Sequence, residues 1–191
     1  MGGSGGGTPI IASSSCASAS CSSAAQLGAH AIKAGKNVVH YTLELSEAVT
    51  GQRYDSCISA IPLSTLFNRK DEVLESIADL EGSLIIKEYP TKTASTNNIR
   101  THLEKLKKRN KKIDMIIVDY ADLLKSCSHH KEKRNELESI YESLRAIAQE
   151  YKCPVWTASQ TNRTGLNAEV VTMESISEAF NKCFVADFIC S

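Results

Sequence analysis

Ile113–Leu124 reads IDMIIVDYADLL, and this stretch decides the fold. Its first half, Ile113–Val118, is a near-continuous apolar run, the pattern of a strand covered on both faces. A strand of that kind belongs in a parallel sheet between two layers of helices. Asp119 follows at its carboxyl end, the edge where open α/β sheets bind ligands. Working upstream, Asn97–Lys108 spaces Ile99, Leu103 and Leu106 at a helical period, and Ser83–Glu88 reads as a strand closed by Pro90. Glu47–Leu80 reads as helices broken near Ile61-Pro62, Asn37–Leu43 as a short strand, and Ala24–Lys33 as a helix stopped by Gly35. Downstream, Lys131–Tyr151 is a long helix with Leu137, Ile140, Leu144, Ile147 and Ala148 on one stripe. Pro154–Ala158 and Phe184–Cys190 complete the strands. The alternation predicts an α/β three-layer sandwich with a mostly parallel sheet. A single domain is expected over 1–191, with residues 1–8 a flexible glycine-rich lead-in.

Composition narrows the function. The 191 residues hold 22 Lys+Arg against 22 Asp+Glu, so a general electrostatic binder of nucleic acid or membrane is not expected. The basic run Lys105–Lys112 (KLKKRNKK) reads as a solvated helix end and loop. No stretch approaches the roughly 20 apolar residues that span a bilayer. Seven cysteines without a CxxC pair fit reduced thiols and a cytoplasmic location better than a disulfide framework. The start is unusual: five of the ten glycines lie within Gly2–Gly7, no charge precedes Lys33, and Ala12–Ser23 holds only Ala, Ser and Cys. Taken alone it resembles a flexible tag.

Four stretches together resemble the RecA-like (P-loop NTPase) ATPase core of hexameric replicative helicases of the DnaB type. They are Gly35–Glu44 (GKNVVHYTLE), Ile113–Leu124, Lys133–Ala148 with Pro154–Arg163 (PVWTASQTNR), and Met173–Ser191 (MESISEAFNKCFVADFICS). The resemblance implies that Glu44 is the glutamate that polarises the attacking water. Asp119 becomes the Walker B aspartate that supports Mg²⁺, and Gln160 the residue that senses nucleotide and DNA.

One segment departs from that pattern. Counting back from AAQLGAHAIKAGKNVV places the phosphate loop over Ala17–Cys21, here ASASC, after a strand at Ile10–Ser14. Such a loop needs glycines, a lysine for the β/γ-phosphates and a hydroxyl for Mg²⁺. Ala17 and Ala19 stand at the glycine positions, Ser20 at the lysine position and Cys21 at the hydroxyl position, with Ser18 between. A thiol is a poor ligand for a hard ion. The changes cluster in one loop, which reads as engineering rather than scattered decay. Neither ATPase activity, a cofactor nor a bound metal is expected. The family continues past the position of Ser191 to elements that build its hexamer, so a monomer or dimer is expected.

A strand-to-helix turn still aims backbone N–H groups at one spot, the geometry of an oxyanion hole. The leading expectation is therefore a designed serine or cysteine hydrolase acting on a small ester or organophosphate, with Ser20 or Cys21 as nucleophile. Cys16 and Ser18 are second choices. His129 and His130, in the loop SCSHHK at the same sheet edge, are the candidate bases, oriented by Asp119, Asp122 or Glu44. The alternative is an inert or binding scaffold related to the helicase domain. A metal site from Cys127, His129 and His130 with Cys16 or Cys21 matches no standard zinc spacing.

Overall fold

A computed structural model describes the backbone of residues 9–14, 17–127, 133–160 and 185–190, with side chains within 23–127, 135–159 and 185–189. Six strands form one sheet: β1 (Pro9–Ser14), β2 (Val38–Thr42), β3 (Leu84–Glu88), β4 (Met115–Asp119), β5 (Val155–Gln160) and β6 (Phe188–Cys190). Their order is β3-β2-β4-β5-β1-β6, and every pairing is parallel. The helices are α1 (Ala17–Lys33), α2 (Glu47–Ser59), α3 (Leu63–Leu66), α4 (Lys70–Ala78), α5 (Thr96–Lys108) and α6 (Lys133–Tyr151).

The two faces of the sheet carry separate cores, as strand periodicity requires. On one, Val39, Tyr41, Ile116 and Val118 pack against Ile99 and Leu103 of α5 and Ile140, Leu144 and Ile147 of α6. On the other, Val38, Met115 and Ile117 meet Ala25, Ala29 and Ile32 of α1 and Tyr54 of α2. Burying each of these large aliphatic side chains is worth roughly 1.5–3 kcal/mol. The α5 stripe of Ile99, Leu103 and Leu106 is buried as its spacing requires, and the Ser95 N–H donates to Asn98 Oδ1 at 2.9 Å to fix the start of that helix.

Small residues on α1 let it approach closely. A Cβ on Gly28 would overlap the Tyr54 hydroxyl and stand 2.7 Å from Tyr54 Cε1, so the tyrosine is seated directly on the helix backbone. At the other end of α1, Gly35 takes φ 73°, its N–H donates to the Ile32 carbonyl at 2.9 Å, and the Lys36 N–H donates to the Ala31 carbonyl at 3.0 Å. That is a glycine stop, as expected from the sequence.

Two boundaries differ from expectation. The Glu47–Leu80 segment breaks twice rather than once, with a second interruption between Leu66 and Lys70. More consequentially, α1 starts at Ala17, not Ala24. Alanine and serine allow a helix where glycine would discourage one, so the segment expected to be a loop is already helical. Only residues 15 and 16 separate β1 from α1.

Candidate functional site

The carboxyl ends of β2 and β4 lie side by side, because Thr42 pairs in register with Asp119. The Leu43 N–H donates to the Asp119 carbonyl at 2.9 Å, which brings Glu44 to the same edge. Asp119 is buried and Glu44 is exposed. Between them sits Tyr120, whose hydroxyl is pushed above the usual range by burial first, then by the charges of Glu44, Asp122 and Asp119. Three carboxylates from two strand ends therefore converge on one ring.

Asp122 is held by the protein itself. Its Oδ1 accepts from the Tyr141 hydroxyl at 2.8 Å and its Oδ2 from the Ser159 hydroxyl at 3.4 Å. Next to it, the Ala121 N–H donates to Thr157 Oγ1 at 2.9 Å. These bonds tie β4, β5 and α6 together, so Asp122 serves the frame of the edge.

Below Asp119 lies a feature that sequence reading passed over as core packing. His40 is fully buried, its Nδ1 is 2.8 Å from the Tyr54 hydroxyl, and its Nε2 is 4.0 Å from Asp119 Oδ2. Burial pushes its pKa down to about 3, so at neutral pH a neutral ring faces the carboxylate and no ion pair forms. His40 Nε2 has no hydrogen-bond partner among the described residues. Alternation in β2 was the available signal: residues 38, 40 and 42 share a face with 115, 117 and 119 once the register is known.

This arrangement carries a pH prediction. The folded pKa of His40 lies below the 6.5 of an unperturbed histidine, so the unfolded chain takes up the proton first as pH falls. The stabilisation is complete above 6.5 and is lost progressively down to about 3. Between pH 7 and pH 5 this single group is expected to cost about 2 kcal/mol. Urea melts at the two pH values, on the parent and on His40→Phe, check it: the variant should lose that part of the pH dependence.

The remaining candidates divide between described and undescribed residues. Ala17, Ser18, Ala19, Ser20 and Cys21 lie on the first turns of α1, with Cys21 in the second turn rather than the first. Their side chains are outside the described residues, as are Cys16, His129, His130 and the side chain of Gln160. Ser14 pairs with Gln160, so the end of β1 and the end of β5 stand together at this edge. His30 is exposed on α1, and His102 of α5 is 2.9 Å from the Tyr41 hydroxyl on the opposite face of the sheet. Among the described residues no group of three His, Cys, Asp or Glu side chains could hold a metal.

The described cysteines are free thiols with different reactivity: Cys153 is buried, Cys57 half-buried and Cys127 exposed. Burial raises the Cys127 thiol, but hydrogen bonds from Thr96 and Ser95 and the amides of Asn97 and Thr96 outweigh it and leave the thiol below its usual range. Burial, then the charge of Asp114, pushes Cys153 up to about 12. A larger cleft of about 430 Å³ lies elsewhere, among Leu63, Leu66, Phe67, Val73 and Leu74, with no strand-end carboxylate in its lining.

A parallel sheet, helices on both faces and acidic residues at the carboxyl edge of two adjacent strands define a RecA-like ATPase fold. Comparison with known proteins makes this particular. The chain belongs to the DnaB-like helicase C-terminal domain family, whose model matches residues 4–169. It is 31% identical over 175 residues to the DnaB-like replicative helicase of Enterobacteria phage T4, covering 85% of this chain and 37% of that protein. It is also 31% identical over 137 residues to the replicative DNA helicase DnaB of Rickettsia bellii, covering 67% of this chain and 26% of the relative. The chain thus spans about a third of these relatives or less. Among solved structures, an isolated ATPase domain superposes with a TM-score of 0.81 at 15% identity, over 96% of this chain and 68% of that one. A DnaB-like replicative helicase, solved in a study of its interactions with primase, gives 0.76 at 16% identity over 95% of this chain and 46% of that one. No described helix is long and apolar enough to cross a membrane.

Proposed function

We propose that this chain is the nucleotide-silent core of a DnaB-like helicase domain, a single RecA-like unit over 1–191 whose phosphate-binding segment was rewritten by engineering. It neither binds nor hydrolyses ATP. The observation that carries this reading is the junction of β1 and α1. Ala17–Cys21 stands there with no lysine, and helical structure already begins at Ala17. A phosphate loop works by curling several backbone N–H groups around an anion while a lysine neutralises it. A two-residue connection between strand and helix leaves little chain for that curl, and no cation precedes Lys33. Asp119 and Glu44 retain positions suited to a metal-bound nucleotide, but the residues opposite them do not fit its phosphates, so no catalytic step is assigned.

The designed-hydrolase reading rests on composition. Every nucleophile and base offered for it, Ser20, Cys21, His129 and His130, lies outside the described side chains, and no nucleophile–base hydrogen bond supports it. Two measurements decide. A thermal melt of the chain in excess MgATP is expected to coincide with the melt in buffer; a rise in melting temperature overturns the nucleotide-silent reading. Intact mass after fluorophosphonate treatment is expected to be unchanged; a stoichiometric adduct restores the hydrolase.

A further inference from the structure

At the amino-terminal edge of β4, far from Asp119, positive charge accumulates without neutralisation. Helix α5 ends in Lys105, Lys107 and Lys108, Arg109 and Lys111 follow, and Lys152 stands just after α6; all are exposed. None of these six forms an ion pair with a described residue. By contrast, neighbouring charges are matched: Lys112 with Asp114 at 2.8 Å, and Arg100 with Glu150 at 3.0 Å. The dipole of α5 accounts for cations in its last turn. It does not account for Lys111 and Lys152, which belong to other segments.

These two lysines and Lys107 rim a cleft of about 320 Å³, whose lining also includes Ile113, Tyr151 and Glu150. Ile113 and Tyr151 are half-buried, packed on the α5–α6 core yet still accessible in the cleft. An apolar floor inside a basic rim has a definite complement. We propose that this cleft docks an acidic peptide carrying one aromatic or large aliphatic anchor. The anchor side chain fills the space over Ile113 and Tyr151, and flanking carboxylates face Lys107, Lys111 and Lys152.

The observations favour a peptide over nucleic acid. Glu150 lines the cleft itself, and Glu104 lies close enough to contribute to the field at Tyr151. Both would oppose a phosphate backbone, whose binding is dominated by charge. The chain also has no net positive charge to draw a polyanion generally. A single cleft seats one side chain, whereas a single-strand track needs successive stacking positions.

Fluorescence anisotropy tests the proposal, using a short fluorescein-labelled peptide of Asp and Glu around one central Phe in about 50 mM NaCl, where exposed charges are weakly screened. Binding is expected to weaken at least tenfold in Lys107→Glu/Lys111→Glu/Lys152→Glu. A similar loss is expected when the peptide's Phe is replaced by Ser. The three lysines are exposed, so the variant should melt like the parent; Lys107→Gln/Lys111→Gln, with a smaller loss, provides the second reading. Undetectable binding to the parent overturns the proposal, as does a triple variant with parent affinity. Indifference to the Phe reduces the site to bulk charge and overturns it too. Tighter binding of labelled oligo-dT at the same lysines assigns the surface to nucleic acid instead.

Discussion

Ser20→Lys combined with Cys21→Ser, Ala17→Gly and Ala19→Gly is expected to convert a chain indifferent to MgATP into one that binds it. Each change restores one physical requirement. Lysine supplies the charge that faces the β/γ-phosphates, and serine gives Mg²⁺ a hard oxygen in place of sulfur. The glycines allow backbone conformations that alanine resists, and they weaken the helix that now begins at Ala17. With nucleotide at about a hundred times its Kd, linkage gives roughly 2.7 kcal/mol of added stability. For a domain of this size that is a rise of roughly 5–10 °C in Tm. The parent should show none. Adding Asp119→Asn should leave much of the ATP effect while reducing its dependence on Mg²⁺, because only the carboxylate at the end of β4 is altered. A restored variant without any shift would mean that the edge built by Asp119 and Glu44 is not a nucleotide edge, and the proposed function would fall with it.

The second large effect concerns stability. Gly82→Ala is expected to cost about 3 kcal/mol, at the upper end of overpacking penalties. A Cβ there would overlap the Ile32 carbonyl oxygen, and it would stand 2.6 Å from the Lys36 carbonyl oxygen and 2.9 Å from Ile32 Cα. All three are backbone atoms, so no side chain can rotate away. Nor can the backbone easily retreat. Gly35 fixes the turn on one side, and the Val38 N–H donates to the Ser83 carbonyl at 2.8 Å on the other. Gly51→Ala is the matched control. Its Cβ would meet only Ile86 Cδ1 at 3.8 Å, and it lies within α2, where alanine is favoured over glycine by about 1 kcal/mol. Urea denaturation of both variants checks the pair: Gly51→Ala should match or exceed the parent, and a Gly82→Ala midpoint equal to the parent's would contradict the close approach.

Two elements mark how far periodicity reaches. The α5 stripe was legible because Ile99, Leu103 and Leu106 repeat on one face of a helix, and the structure buries all three. The start of α1 was not legible. A run of Ala, Ser and Cys carries no apolar period, and its comparison with a phosphate loop suggested non-helical chain where the structure has helix. Of the site, Asp119 and Glu44 could be placed from sequence because each closes a strand. The His40–Tyr54 pair could not, since residues 14 apart on a strand and a helix meet only when α2 packs over β2.

The sequence by itself determined the order of strands and helices, the burial of β4 on both faces and the missing lysine, because these depend on residue type and local spacing. Only the tertiary structure decided which strands are neighbours, and hence that Thr42 stands beside Asp119 and that His40 lies beneath it. It alone also decided that Gly82 must remain a glycine and that Lys152 joins Lys107 and Lys111 around one cleft. These are contacts between segments far apart in the chain, set by register and packing, and no local pattern of residues encodes them.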